Sequence, residues 1–244
     1  MSEIRVQVAG LEHLRFVNNI LKTIEESAKV RGTGIAKRKP EYIESKILEG
    51  KAIIALEDET FVGFCYIETW GQKQFVANSG LIVRPEYRGR GIAKLIKKAA
   101  FNLSRERYPE AKIFGLTTGL AVMKINTELG YRPVTFSELT DDEQFWKGCQ
   151  SCVNYDILQR TGRKHCLCTG MLFDPMWEKE KEEKEKLEQD VKQEKRQHSL
   201  QVYDRWFEFK KHVLFGFKKN KEKKNTKDSE HKDAKHKIKI SLFK

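Results

Sequence analysis

The chain has 244 residues, 39% of them hydrophobic and 34% charged, with a formal net charge of +12. That length holds one full-sized domain with some chain to spare. No apolar run approaches the roughly 18–20 residues a bilayer span needs, and Met1-Ser2-Glu3-Ile4-Arg5 lacks the charged-then-apolar order of a signal peptide. A cytoplasmic protein is expected, with its five cysteines unlinked. The charge is unevenly spread: from Trp177 to Lys244 there are 21 Lys and Arg against 14 Asp and Glu, and the last 35 residues carry 13 Lys against 4 acids. The basic excess therefore describes a tail, and no nucleic-acid partner is expected.

In chain order, Ile4 to Val8 alternates and reads as a strand. From His13 to Val30, the residues Leu14, Val17, Leu21, Ile24 and Ala28 recur at helical spacing. Arg31-Gly32-Thr33-Gly34 breaks that helix. Pro40 opens a second one at the position its missing N–H tolerates, and Gly50 stops it. Ala52 to Leu56 and Phe61 to Ile67, joined by Glu57-Asp58-Glu59, make a hairpin. Phe75 to Val83 is a further strand ended by Pro85. Ile92 to Tyr108 reads as a long helix with Lys and Arg on its outer face. Ile113–Thr117 is a strand, Leu120–Leu129 a helix and Tyr131–Phe136 a strand. This order predicts an α/β or α+β domain, a central mixed sheet flanked by helices. The expected divisions are residues 1–140 for that domain, 141–176 for a Cys-rich extension, 177–217 for a charged then amphipathic helical segment, and 218–244 for a mostly disordered Lys-rich tail.

The segment from Leu81 to Ala93 runs strand, turn, glycines, helix. Amides at a helix start have no intrahelical partner, and the helix dipole adds positive charge there. Gly89 and Gly91 let the backbone approach a ligand closely. Such a turn suits a phosphate or pyrophosphate, with Arg84, Arg88 and Arg90 as countercharge. A helix start that uses its glycines only for the turn remains the alternative.

Arg88-x-x-Gly91-x-Ala93, after an apolar strand and before a basic helix, resembles the acyl-CoA loop of the GNAT acyltransferase superfamily. The likeness covers roughly Ile4 to Phe136. It implies a GNAT-like fold and transfer of an acyl group from coenzyme A to an amine. It also implies that Leu81, Ile82 and Val83 pair with pantetheine, and that Arg88, Gly89, Arg90, Gly91, Ile92 and Ala93 hold pyrophosphate. The chemistry asks for a base, an oxyanion donor and an acid for the leaving thiolate. An N–H on the strand ending at Val83 serves as oxyanion donor, and Glu68 is the candidate base. Many members carry Tyr four residues before a Gly-Phe pair. Here the pair is Gly130-Tyr131 and the earlier position is Asn126, which hydrogen-bonds but cannot protonate a thiolate.

Ser27 to Arg38 carries four cations and no acid. It reads either as a basic surface loop or as a grip on an acceptor carboxylate through Arg31 and Arg38. Ala28 to Gly34, Val134 to Thr140 and Cys166 to Leu172 resemble bacterial GNAT proteins of arginine biosynthesis. That likeness implies acyl transfer from acetyl-CoA or succinyl-CoA to the α-amine of glutamate. Cys149-x-x-Cys152 and Cys166-x-Cys168 have the look of a tetrahedral structural zinc site, with buried free thiols or a redox pair as alternatives. In the tail, Val202, Tyr203, Trp206, Phe209, Val213 and Phe217 share one helical face beside lysines. That face suits an anionic membrane surface, a protein groove, its own domain or a second subunit. Two other functions stay open at this point: acylation of protein amines, and a non-catalytic CoA-binding regulatory module.

Overall fold

The computed structural model describes the backbone of residues 3–31 and 38–240, and the side chains of these up to Val213, Arg31 excepted. The expected acceptor loop therefore lies partly outside the described residues, as does the side chain of Arg31. Contacts divide the chain into two units, Met1–Lys179 and Glu180–Lys244.

The first unit is built on seven strands: β1 (Ile4–Val8), β2 (Ala52–Glu57), β3 (Thr60–Trp70), β4 (Phe75–Val83), β5 (Lys112–Thr117), β6 (Arg132–Val134) and β7 (Thr169–Phe173). They form one sheet in the order β1-β2-β3-β4-β5-β7-β6. Every neighbouring pair is antiparallel except β4 and β5. β3 runs on past the end expected at Ile67, so Glu68 is a paired strand residue opposite Ala77. β7 was not anticipated. It lies between β5 and β6, so the sheet takes in residues beyond the division expected at 140.

Alternation along the strands sorts side chains to two faces. On one, Ile54, Phe64, Tyr66 and Ile82 pack under α1 (Val17–Arg31) and α2 (Pro40–Leu48). On the other, Ile53, Val62, Cys65 and Val83 meet Ile92, Ile96 and Ala100 of α3 (Ile92–Arg107). α4 (Leu120–Glu128) follows β5. The segment after β6 contributes α5 (Glu143–Lys147) and α6 (Tyr155–Arg160). Its Phe136, Leu139, Trp146 and Leu158 cluster on Ala77, Phe114 and Leu172. Phe114 meets Phe75 and Phe145 edge-on, at 6.0 and 4.9 Å. Truncation of that ring to alanine would cost about 3–5 kcal/mol.

α7 (Pro175–Ile240) is one continuous helix. Neither Pro nor Gly follows Gly216 to interrupt it. Its first turn belongs to the first unit: Trp177 lies 4.4 Å below the Arg132 guanidinium, and Glu178 pairs with Arg105. In the second unit Tyr203, Trp206, Phe207 and Phe209 are exposed, with Lys210 3.9 Å above the Trp206 ring. Among the described residues no helix is long and apolar enough to cross a membrane.

Candidate active site

The parallel pairing of β4 with β5 stops at Ala77 and Phe114. Beyond that pair β5 bonds only to β7, and the edge of β4 from Asn78 to Val83 that faces β5 has no strand beside it. The two strands part there, and a cavity of about 540 Å³ occupies the gap. It opens to both faces of the sheet. Arg38, Tyr42 and Glu68 line it on the α2 side, and Lys97, Val122 and Asn126 on the side of α3 and α4.

At the end of β4 the chain turns through a short 3-10 helix, Pro85–Tyr87, into Gly89 and Gly91, with φ of +79° and +77°. A Cβ on either glycine would meet nothing within 4 Å, so the backbone there faces open space. No carbonyl among the described residues takes the amide protons from Gly89 to Ala93. The arginines behave otherwise than expected. Arg84 pairs with Glu86, Arg90 with Glu57, and Arg88 donates to the Val83 carbonyl and to Ser27 Oγ at 3.1 and 3.2 Å. They staple the turn in place, which leaves the amides to meet an anion.

On the α2 side, Glu68 accepts from Lys46 Nζ at 2.7 Å and from the Tyr42 hydroxyl. Lys46 is itself buried, so its pairing with Glu68 meets the need of a desolvated charge for a counterion. Burial, then Tyr66 and the bond to Glu68, push the Tyr42 hydroxyl far above its ordinary range. Arg38 Nε donates to Tyr66 at 2.8 Å. Tyr66 is positioned by a bulge in β4, where Gly80 takes φ +67° and a Cβ would stand 2.6 Å from the Tyr66 ring.

On the other side, Asn126 is 1% exposed and its Oδ1 has no hydrogen-bond partner. Lys97 corrects the expectation that the cations of α3 all face outward. Its side chain is buried and donates to Asn78 Oδ1 at 3.1 Å, an atom that also accepts from Tyr131 at 2.9 Å. Asn78 in turn donates to Ser104. The available signal was weak: Lys97 and Ser104, seven residues apart, border the apolar stripe of Ile96 and Ala100.

The expected zinc site does not form. Among the described residues no group of three or more His, Cys, Asp or Glu side chains could hold a metal ion. Cys149, Cys152, Cys166 and Cys168 are free thiols that line the cavity, three of them against the Phe136–Trp146–Leu158 cluster. Burial, then neighbouring thiols, push Cys149 up to about 11 and Cys168 to about 12. Thiols packed there make a weakly polar wall to the cavity.

Residues 21–123 match the acetyltransferase (GNAT) family. Among solved structures, N-acetylglutamate synthase from Neisseria gonorrhoeae, with coenzyme A and N-acetyl-glutamate, aligns at 15% identity and a TM-score of 0.50. The alignment covers 71% of this chain and 35% of that one, so the chain spans about a third of that relative's length. Rv2747 from Mycobacterium tuberculosis, in complex with CoA and NLQ, aligns at 15% identity and a TM-score of 0.52, covering 70% of this chain and 98% of that one. A comparison with curated protein sequences finds no match.

Proposed function

We propose that this chain is an acyl-CoA-dependent N-acyltransferase of the acetyltransferase (GNAT) family, whose model matches residues 21–123, and that its acceptor is a small acidic amino acid resembling glutamate. The observation that carries this reading is the cavity between β4 and β5. Arg38, Lys39 and Glu68 line it, and the unpaired amides from Gly89 to Ala93 follow where β4 ends.

The donor fits the free edge of β4 and the turn that follows it. Pantetheine is a chain of amides, and the free edge of β4 at Leu81, Ile82 and Val83 can pair with it as a strand would. The amides from Gly89 to Ala93 and the dipole of α3 suit the pyrophosphate. Asn126 Oδ1, buried and unpartnered, needs a donor, and a pantetheine N–H would supply one. Asn126 thus acts in holding the donor rather than in protonating it.

The acceptor fits the α2 side of the cavity. Arg38 brings positive charge to the cavity wall for an acceptor carboxylate. Glu68, held by Lys46 and Tyr42, takes the proton that the attacking amine sheds, directly or through a water. An N–H near the bulge of β4 faces the carbonyl oxygen as charge builds on it. Acetyl-CoA and succinyl-CoA both suit the donor side. Acylation of the glutamate α-amine would place the protein early in arginine biosynthesis. Incubation with radiolabelled acetyl-CoA or succinyl-CoA and a panel of amino acids tests this. Transfer to glutamate with release of free CoA is expected. Label that goes to protein amines and to no amino acid would overturn the acceptor assignment.

A further inference from the structure

The acyl-transfer reading leaves one task without a residue, because Asn126 stands where the proton donor for the departing thiolate is expected. Lys97 reaches the same cavity from α3. An ammonium has three protons to donate, and Asn78 Oδ1 is the partner of Lys97 among the described residues. The Tyr131 ring stands 5.0 Å away. Gly115 marks where β5 leaves β4, and a Cβ there would lie 3.9 Å from Lys97 Nζ. The cation therefore sits at the apex of the gap through which the donor's thiol end must pass.

A buried cation without a carboxylate is costly, and proteins keep such groups mainly where chemistry needs them. The titratable groups facing Lys97 are Cys65 from β3 and Tyr131 from the turn after α4. Burial pushes the Cys65 thiol up to about 11 and the Tyr131 hydroxyl well above its ordinary value, so neither supplies an anion near neutral pH.

We propose that Lys97 donates the proton taken up by the departing CoA thiolate; the proposal rests on the acyl-transfer reading above. The acceptor nitrogen bonds to the acyl carbon, and the carbon–sulfur bond breaks with its electron pair going to sulfur. One N–H proton of Lys97 passes to that sulfur. The amine has meanwhile given a proton to Glu68, and solvent returns a proton from Glu68 to Lys97. The products are an amide and a free thiol. Burial lowers the Lys97 ammonium to about 8, close to an ordinary thiol at about 8.5, so the transfer runs with little driving force either way.

The test compares wild type with Lys97→Met and Lys97→Arg. Methionine keeps an unbranched stem, and Asn78 Oδ1 keeps its bond from Tyr131, so no buried group is orphaned. CoA binding is read first from Trp70, which lines the cavity. Ultraviolet titration of the bound CoA thiolate is the second readout. A nearby cation should hold that thiol about one to three pH units below its value in Lys97→Met. Lys97→Arg should keep the thiol low but lose turnover, because guanidinium does not give up its proton. The kcat of Lys97→Met should fall roughly 100- to 1,000-fold, with the KM for acyl-CoA nearly unchanged. The wild-type alkaline limb near pH 8 should vanish. A variant that binds CoA with an unshifted thiol and a kcat within threefold of wild type would overturn the proposal. A wild type that binds no CoA would instead overturn the acyl-transfer reading, and this inference with it.

Discussion

The two faces of the sheet each bury a lysine beside the cavity, and the two are treated in opposite ways. Lys46, under α2, is matched by Glu68 at 2.7 Å, and that carboxylate is also held by Tyr42. Lys97, under α3, meets an amide oxygen, and no carboxylate among the described residues pairs with it. The paired lysine has the cost of its burial offset by a carboxylate partner. The unpaired one is destabilised in its charged form and so gives up a proton easily. On the proposed reading, the same residue type holds the base on one side of the gap and serves as the acid on the other.

The sharpest way to break the comparison is to remove the base. Glu68→Gln keeps the shape and a hydrogen-bonding partner for Tyr42 but cannot take a proton. We expect kcat to fall about 100- to 10,000-fold with CoA affinity unchanged. A loss of CoA binding as large as the loss of rate would show that Glu68 shapes the donor site instead. Arg38→Ala comes next. If Arg38 meets an acceptor carboxylate, the KM for glutamate should rise about ten- to a hundred-fold while that for acyl-CoA stays put. A change below twofold would return Arg38 to a packing role beside Tyr42 and Tyr66.

A smaller effect tests the cost of the unpaired lysine. The folded protein holds the Lys97 ammonium at about 8, below its ordinary 10.5. Below about pH 8 both folded and unfolded chains carry that charge, and only the folded one bears its desolvation. Between about 8 and 10.5 the folded state sheds the proton first, so stability should rise with pH through that window. Lys97→Met should therefore melt higher than wild type at neutral pH, and the gap should close toward pH 10.5. A Tm difference independent of pH would mean that methionine merely packs better.

The smallest effect concerns the tail. Trp177, Glu178 and Lys179 contact the first unit, whereas residues from 180 onward belong to the second. A chain ended after Lys179 should keep kcat within a few-fold, and one ended after Pro175 should melt lower because Arg132 loses the Trp177 ring. An inactive but folded chain ending at Lys179 would make the distal helix part of the enzyme.

How much of this was legible in the sequence varied with the range of the forces involved. β1 and β4 begin and end where alternation and Pro85 placed them, because those cues act over a few residues. The glycine turn before α3 was readable for the same reason. β7 was not, because Thr-Gly-Met-Leu-Phe carries little periodicity and becomes a strand only through pairing with β5 and β6. The cysteine spacing suggested metal, yet the four thiols, near enough to influence one another, line the cavity, three of them beside an apolar cluster. Lys97 looked solvated because charge usually is. Only the neighbouring strands decide that it is not.

The place of β7 also sets the order in which the molecule can be finished. β5 forms its bonds to β4 locally, across the single crossover of α3, but its other edge waits for residues 169–173. Everything from α4 to α6 is synthesised before that strand arrives. Until then the Ile113–Phe114 stretch presents an unprotected edge, the kind of surface that invites mispairing between chains. Contacts between residues so distant in sequence form slowly. The cavity, lined in part by the segment between β6 and β7, is therefore among the last parts of the domain to form.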